Sequence, residues 1–327
     1  MAGQFRIGAL PLAVLTYAAL AFAVSPDTYG TMLQLYLRQA TILPILLLVG
    51  IPAAALVLQP KSPIAMIFDI LRGGALRLGV VMAIFCLGTA AFTTFKLAIP
   101  DLVPFYADAF LAKADAWLHG GDPGNFAHAI VPAWAQYPLA YLYGPIWFVL
   151  WFGLLAFIAL HRDAALRRRY FWSMSLTMGL IGTVAATAFS SVGPIFYDEF
   201  VDPNRFIGLM DKIRGTAIGD YMAQASAYLL TSYETGAHAM GTGISAMPSM
   251  HLAIVTLNAC MLSGLNRYVG ILAWLYVGVI QIGSVYLGWH YALDGYFSIA
   301  AVSLIWWAVG RLARRSATLP QAAPVAA

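Results

Sequence analysis

Long apolar runs dominate this 327-residue chain and restrict what it can fold into. Eight of them are long enough, at about 20 residues each, to cross the hydrocarbon core of a bilayer as helices. They lie at roughly 7–25, 42–59, 78–95, 139–160, 171–189, 249–264, 269–288 and 291–309. Only 10% of the residues are charged, far below the share of about 25% in ordinary soluble domains. The sequence therefore predicts an all-α polytopic membrane protein with about eight transmembrane helices.

The basic residues predict which ends of these helices face the cytoplasm. Eight spans place both termini on one side, and twelve of the eighteen Lys and Arg residues map to that side. These twelve are Arg6, Lys61, Arg72, Arg77, Arg162, Arg167, Arg168, Arg169, Arg267, Arg311, Arg314 and Arg315. Of the fourteen acidic residues, only Asp69 and Asp163 share it. The positive-inside rule makes this face cytoplasmic, so the formal charge of +4 reflects topology and not nucleic-acid binding.

We expect three segments along the chain. Residues 1–75 form an N-terminal transmembrane hairpin and a cytoplasmic loop, and residues 76–315 form the membrane domain that carries the function. Residues 316–327 are an Ala/Pro-rich tail that we expect to be disordered. Both cysteines, Cys86 and Cys260, fall inside predicted helices, which indicates small core residues and not a disulfide or a metal pair.

Two segments between the spans have a pattern of their own. Residues 105–118 place apolar side chains at helical spacing, which predicts an amphipathic helix. The apolar positions are Phe110, Leu111, Ala114, Trp117 and Leu118. This helix either lies in the membrane interface or packs on the outer loops. Residues 190–248 are rich in Gly, Pro and Tyr, which predicts ordered turns that form either a lid over a site or a surface elaboration.

Two histidines lie at the ends of predicted spans. His251 begins the sixth run, and His290 lies between the seventh and the eighth. Their separation of 39 residues is what two crossings of about 20 residues need, so both should meet at one face. Asp294 follows His290 by four residues, a spacing that stacks side chains on one side of a helix. Because ionisable groups at membrane depth indicate function, we expect these three residues to form an extracytoplasmic site.

The residues around the histidines form two motifs. The stretch "MPSMH" contains P-S-x-H, and "SVYLGWHYALD" contains S-x5-H-x3-D. In this order they resemble the second and third signatures of the phosphatidic acid phosphatase type 2 (PAP2) superfamily. The match extends from Pro248 to Asp294 by motif and over the six spans from about 78 to 309 by architecture. The resemblance implies a six-helix PAP2-like core and phosphoryl transfer without a metal or another cofactor.

The departures from the family pattern indicate a branch of the superfamily. The first signature, K-x6-R-P, does not occur upstream, and Val285 replaces the Arg that follows the serine of the third signature. Sphingolipid synthases also lack the phosphate-binding cations of these two signatures. They carry the pattern H-Y-x-x-D, which this chain has from His290 to Asp294. The chain is therefore similar to the inositol phosphorylceramide synthase-like branch. This implies transfer of a phosphoalcohol headgroup, such as phosphoinositol, from a phospholipid to a hydroxyl lipid such as ceramide.

The resemblance also implies a role for each residue. His290 attacks phosphorus to form a phosphohistidine, Asp294 holds the proton on the other ring nitrogen, and His251 protonates the leaving alkoxide. Pro248 and Ser249 suit the first turn of a helix, whose free N–H groups and dipole attract a phosphate. Further candidates for substrate binding are the hydroxyl of Ser284 and the loop cations Arg205, Lys212 and Arg214.

Three alternatives to this interpretation remain. A lipid phosphate phosphatase, acting on phosphatidic acid or a polyprenyl diphosphate, would use the same residues with water as acceptor. Two His and one Asp could instead ligate zinc, although the family chemistry argues against it. A transporter would need charges in the middle of its helices, which this chain nearly lacks. The expected partners are a phospholipid, a lipid acceptor and the membrane itself.

Overall fold

The computed structural model describes residues 8–318. For residues 316–318 and for several residues between 42 and 73 it describes only the backbone. The architecture is all-α, as predicted, and no β-strand occurs among the described residues. The α-helices are α1 (Ala9–Val24), α2 (Pro26–Ala40), α3 (Ile42–Leu58), α4 (Pro63–Leu102), α5 (Asp108–His119), α6 (Pro123–Ile130), α7 (Gln136–Tyr143), α8 (Pro145–Leu160), α9 (Ala164–Leu176), α10 (Ala186–Ala188), α11 (Tyr197–Phe200), α12 (Ile207–Arg214), α13 (Gly219–Thr235), α14 (Met250–Leu265), α15 (Arg267–Tyr286) and α16 (Ala292–Thr318). A π-helical stretch, Thr177–Ala185, joins α9 to α10.

The long helices agree with the predicted spans. Among residues 8–318, five helical stretches are long and apolar enough to cross a membrane. They are Gly74–Leu102, Ala133–Leu160, Ala164–Ala188, Arg267–Tyr286 and Ala292–Arg315. Two shorter apolar helices, α1 and α14, lie at the first and sixth predicted spans, and α3 lies at the second. The chain is therefore a polytopic integral membrane protein.

The first third of the chain differs in detail from the prediction. Residues 26–40 lie between the first two predicted spans and form α2, whose buried Tyr29 and Met32 share one face that packs along α4. The hydroxyl groups of Tyr36 and Thr93 hydrogen bond at 2.7 Å across this contact. Helix α4 has 40 residues and continues through residue 75; the division of the chain at that residue stays a prediction. At the other end α16 continues to residue 318, so the predicted tail lies outside the described residues from 319 onwards.

Helix α14 is the centre of the bundle. Every residue from Leu252 to Ala259 is buried, and α14 packs against α8, α9, α15 and α16. Inside this core Tyr170 donates a hydrogen bond of 2.8 Å to the Asn258 side chain, a polar contact typical of helix packing in membranes. The second residue of α14 is His251, so the most enclosed helix carries one of the candidate site residues.

A break between α7 and α8 shapes the surroundings of the site. Gly144 has φ −100° and ψ −99°, and Pro145 opens α8, where a missing N–H has no consequence for the helix. The break leaves Tyr143 at the end of one helix and Trp147 in the first turn of the next. Both rings contact the ring of His251.

The segment 190–248 is ordered by short helices. It contains the 3-10 turn Pro194–Phe196 and helices α11, α12 and α13. Buried Val192, Phe196 and Ile244 form a small apolar cluster within it, so the segment packs as a layer and not as a loose linker. It leads directly into the P-S-x-H motif, and its first residues lie against the end of α15 through an Ile195 N–H to Gly288 carbonyl hydrogen bond of 2.8 Å.

Helix α5 covers most of the segment 105–118, which was predicted to contain an amphipathic helix. Its buried face, however, does not coincide with the face that carries the predicted apolar residues. Leu111 is buried, at 3% exposure, whereas Phe110 is 69% and Trp117 84% exposed. The buried face carries two carboxylates instead, those of Asp108 and Asp115. The predicted apolar residues therefore lie partly in the protein interior and partly on its surface. A membrane protein accepts apolar side chains in both places, because the lipid around its helices is apolar as well.

Candidate active site

The two histidine motifs converge at one end of the helix bundle. His251 lies in the first turn of α14, and His290 lies in the turn between α15 and α16. Their ring centroids are 6.3 Å apart, with the ring planes inclined by 64°. Asp294, in the first turn of α16, is fully buried beside His290. His251 and His290, which are 39 positions apart in the sequence, therefore lie in one site.

The hydrogen bonds of His290 determine its tautomer. Its Nδ1 lies 2.9 Å from the carbonyl oxygen of Ala246 and 3.3 Å from Asp294 Oδ2. A carbonyl oxygen has no proton to give, so Nδ1 must carry the hydrogen. The lone pair is then on Nε2. The sequence predicted Asp294 as partner of this proton, and the structure adds the Ala246 carbonyl as the shorter contact.

Asp294 is a buried carboxylate with unused acceptor capacity. Oδ2 also accepts the Tyr291 N–H at 3.0 Å, whereas Oδ1 has no hydrogen-bond partner among residues 8–318. The Asp294 carbonyl accepts the Ser249 N–H at 3.4 Å, which ties α16 to the start of α14. A carboxylate in this position favours positive charge on the neighbouring imidazole.

His251 is held between two aromatic rings. Tyr143 stacks on it with centroids 4.3 Å apart and planes inclined by 18°, and Trp147 lies at 4.5 Å. The indole N–H of Trp147 also donates to the His251 carbonyl at 3.2 Å. The hydroxyl of Tyr143 is buried and has no hydrogen-bond partner in the described part of the chain. These contacts fix the ring of His251, and sequence reasoning missed both aromatic residues.

Two serines predicted as hydroxyl donors have structural partners. Helix α14 begins at Met250, so Ser249 is its N-cap and not part of its first turn, and Ser249 Oγ accepts the Leu252 N–H at 3.5 Å. The hydroxyl of Ser284 donates to the Gln281 carbonyl at 2.8 Å within α15. The Ser284 carbonyl accepts the His290 N–H at 3.3 Å, so Ser284 supports the turn that carries His290.

The three predicted loop cations also have partners. Arg205 donates to both carboxylate oxygens of Asp122, at 2.5 and 2.8 Å, and this hydrogen bonding raises the pKa of Arg205. The remaining two pairs are Lys212 with Asn125 at 2.6 Å and Arg214 with Asp211 at 2.9 Å. The Arg214 pair is exposed. The structure therefore engages these cations locally and does not bring them to the histidines as a group.

A different cation, Lys96, lies near the histidines. It belongs to the last turns of α4 and lies beside the segment that leads into the P-S-x-H motif. Its side-chain stem packs against Gly243, where a Cβ would lie 3.2 Å from Lys96 Cγ. The sequence contained a signal for it, since Lys96 is followed after six residues by Val103 and Pro104. The Lys and Pro of the first family signature are thus present, and only the Arg is replaced.

The surroundings of His290 also include acidic side chains. A small cavity there is lined by His290, Tyr291, Phe206 and the carboxylates of Asp115 and Asp122. Two carboxylates on its wall disfavour a phosphate group by charge repulsion. Arg205 offsets part of this negative charge through its pair with Asp122.

Within residues 8–318, no group of three or more His, Cys, Asp or Glu side chains is arranged to hold a metal ion. The absence of a metal cofactor remains a prediction, which chelation tests directly.

The fold and the paired motifs define an all-α membrane protein with a histidine site at one end of its helices. A family model of the PAP2 superfamily matches residues 109–309, which includes both histidine motifs and more than half of the chain. The chain therefore belongs to the PAP2 superfamily. Membership supports an enzyme of the phosphatase or phosphotransferase type. Searches of curated proteins and of solved structures find no significant match.

Proposed function

We propose that this protein is a phosphotransferase that acts on lipid phosphoesters through a phosphohistidine at His290. The observation that carries the proposal is the hydrogen bonding of His290 Nδ1 to the Ala246 carbonyl and to Asp294. It leaves Nε2 as the nucleophile, in a ring whose neighbour is His251 at 6.3 Å. A nucleophile, a proton donor and an orienting carboxylate are the groups that this chemistry needs.

In the first half-reaction, His290 Nε2 attacks phosphorus and the bond from phosphorus to the leaving oxygen breaks. His251 gives its proton to the departing alkoxide, which leaves as diacylglycerol when the donor is a phospholipid. The imidazole of His290 becomes positively charged, and Asp294 stabilises that charge. In the second half-reaction His251 takes the proton of an acceptor hydroxyl, whose oxygen attacks phosphorus and releases His290.

The phosphate needs cationic or N–H donors around its oxygens. We assign Lys96 as the nearby cation, because its side chain packs against Gly243, five residues before Pro248 of the P-S-x-H motif. The N-terminus of α14 adds N–H groups that have no acceptor within the helix, together with the positive end of the dipole. Ser249 caps that terminus. Arg205 is the loop cation that could join them if it exchanged Asp122 for phosphate.

For the acceptor, we propose a hydroxyl lipid, with a phosphoalcohol headgroup such as phosphoinositol transferred to a ceramide-like molecule. The H-Y-x-x-D step from His290 to Asp294 and the loss of two signature arginines, at Val103 and Val285, support this synthase-like activity. One observation favours the alternative of a lipid phosphate phosphatase. Lys96 and Pro104 retain two of the three fixed positions of the first phosphatase signature.

We propose that the site faces the extracytoplasmic side and that both termini are cytoplasmic. Cations lie at helix ends opposite to His251 and His290 along the chain: Arg162 and the arginines at the start of α9, Arg267 at the start of α15, and the arginines at the end of α16. The positive-inside rule assigns those ends to the cytoplasm. The substrate phosphate would then be presented in the outer leaflet.

Purified protein in detergent, given a labelled phospholipid with and without candidate acceptor lipids, tests these proposals. Acceptor-dependent formation of a new labelled phospholipid, with diacylglycerol left behind, supports transfer. Release of inorganic phosphate from phosphatidic acid or a polyprenyl diphosphate, unaffected by acceptor, would establish the phosphatase instead. His290→Ala is the control and should abolish either reaction, because both pass through the same intermediate.

A further inference from the structure

Helix α5 buries two carboxylates that the mechanism above does not use. Asp108 and Asp115 are 1% and 3% exposed, and seven residues place them two turns apart on one face of the helix. Burial raises the pKa of both carboxyl groups. Burying a carboxylate is unfavourable unless hydrogen bonds compensate for lost water, so their partners indicate what the two groups do.

Asp115 caps the helix that carries Asp294. Its Oδ2 accepts the N–H of Ala292 at 2.8 Å, and its Oδ1 accepts the N–H of Leu293 at 3.1 Å. These are the first two residues of α16, whose N–H groups have no acceptor within their own helix. A carboxylate here also complements the helix dipole. Asp115 therefore acts as the N-cap of α16 from another helix, two residues after His290.

Asp108 binds the same turn and a second loop. Its carboxylate accepts the phenol O–H of Tyr291 at 2.9 Å, the Val192 N–H at 2.9 Å and the Gly193 N–H at 3.0 Å. Tyr291 follows His290 directly, and its backbone N–H donates to Asp294. Asp108 thus connects the turn that contains His290 to the loop at residues 191–193.

That loop leads to the carbonyl that orients His290. The carbonyl of Ser191 accepts the Ala246 N–H at 2.9 Å, and Ser191 Oγ accepts the Met247 N–H at 3.0 Å. Ala246 is the residue whose carbonyl binds His290 Nδ1. The loop also comes close to the turn itself, because a Cβ at Gly193 would lie 2.6 Å from the carbonyl oxygen of Trp289. Both hydrogen-bond acceptors of His290 are therefore linked to α5.

We propose that α5 is a positioning element, in which Asp108 and Asp115 together hold His290 Nδ1 against Ala246 and Asp294. This inference rests on the proposed function of His290. Neither carboxylate touches the reacting atoms, so each acts through the backbone that it binds. Loss of either should lower the rate of the chemical step and leave substrate binding nearly unchanged.

The two carboxylates predict different sensitivities to amide substitution. Each oxygen of Asp115 accepts a separate N–H, so Asp115→Asn places an NH₂ against an N–H and breaks the cap. Asp108 Oδ1 lies within bonding distance of all three donors, so Asp108→Asn keeps the contacts to Gly193 and Tyr291 and places its NH₂ against the Val192 N–H alone. We expect kcat per active site to fall about 10- to 100-fold for Asp115→Asn and less than about 10-fold for Asp108→Asn, since small displacements of a reacting group have effects of this size.

The experiment measures kcat and KM with a labelled lipid phosphoester. It counts active sites from the labelled phosphoenzyme that accumulates to its plateau without acceptor and is then trapped in alkaline denaturant, in which a phosphohistidine is stable. Lys113→Gln, on the exposed side of α5, is the matched control and should behave as wild type. A fall in kcat per trapped site with KM within about twofold supports the positioning role. An unchanged kcat per trapped site, with only fewer sites, would overturn it and leave a purely structural role.

Tyr291→Phe keeps the inference testable if Asp115→Asn fails to fold. It removes one hydroxyl from a buried ring and breaks the link to Asp108, so we expect a severalfold lower kcat per trapped site. Wild-type kcat in Tyr291→Phe would contradict the role of Asp108. His290→Ala distinguishes a failure of the positioning role from a failure of the proposed function, because activity in that variant would refute the proposed function itself.

Discussion

Replacing Asp294 by Asn should slow the reaction strongly while leaving the fold nearly intact. The amide has the shape of the carboxylate, and its oxygen can still accept the His290 Nδ1–H and the Tyr291 N–H. The amide nitrogen would occupy the place of Oδ1, which has no hydrogen-bond partner among residues 8–318. The main change is therefore the loss of one negative charge beside His290.

The size of the effect follows from the distance between the two groups. The carboxylate oxygen lies 3.3 Å from His290 Nδ1, and unit charges at that separation interact by about 5 kcal/mol at an effective dielectric constant of about 20. This attraction develops as His290 becomes positively charged on attacking phosphorus. Losing all of it would lower the rate by about 10³- to 10⁴-fold. Substrate binding precedes that charge, so KM should change little.

The assay compares kcat, KM and the phosphoenzyme trapped in alkaline denaturant for wild type, Asp294→Asn and Asp220→Asn in detergent. Asp220 is an exposed acid in the first turn of α13, so its amide variant controls for the loss of one carboxylate. A thermal unfolding midpoint near that of wild type establishes that Asp294→Asn is folded. Activity of folded Asp294→Asn within about threefold of wild type, with His290→Ala inactive, would refute the charge-stabilisation argument.

Four further predictions follow from the site. His251→Ala should lose turnover of natural lipid phosphoesters but recover much of it on an ester with a nitrophenolate leaving group, which needs no proton; equal losses on both esters would exclude a general-acid role. Lys96→Met should lower kcat/KM about 10- to 100-fold by removing a charge-assisted contact of about 1.5–3 kcal/mol, and Lys96→Arg should lose less; wild-type values for Lys96→Met would remove it from the phosphate site. A chelator should leave the rate unchanged, whereas loss of activity that zinc restores would support a metal site. In a cysteine-free background, Ala165→Cys and Ala313→Cys should react with an impermeant thiol reagent only from the cytoplasm and Ala237→Cys only from outside; all three positions are exposed, and labelling of residue 237 from the cytoplasm would invert the proposed topology.

Sequence alone was informative where one physical requirement dominates. The need for about 20 apolar residues per crossing predicted helices at eight positions, and helices occur there. The same length argument predicted that His251 and His290 share one end of the bundle, where their rings lie 6.3 Å apart. The i,i+4 spacing likewise predicted the contact between His290 and Asp294.

The features that sequence did not reveal depend on tertiary contacts. Tyr143 and Trp147 are apolar residues of a predicted span, and nothing local distinguishes a ring that stacks on His251 from one that faces lipid. Asp108 and Asp115 are acids on an amphipathic helix, a pattern typical of a solvated face, and only their backbone partners on other elements account for their burial. Phosphate binding by Arg205 stays a prediction, but its pair with Asp122 was not foreseen, because the two residues are 83 positions apart in the sequence.

The fold of α5 has a consequence for how the enzyme depends on its surroundings. The helix holds the turn of His290 on one side and presents Phe110, Trp117 and Leu118, at 69%, 84% and 51% exposure, on the other. Aromatic side chains of this kind settle at the boundary between lipid and water. We therefore expect α5 to lie at that boundary, so that the depth of the boundary acts on the helix that holds the turn of His290. The turnover rate should then depend on the bilayer as well as on the protein. We expect it to vary with bilayer thickness even where substrate concentration is held constant.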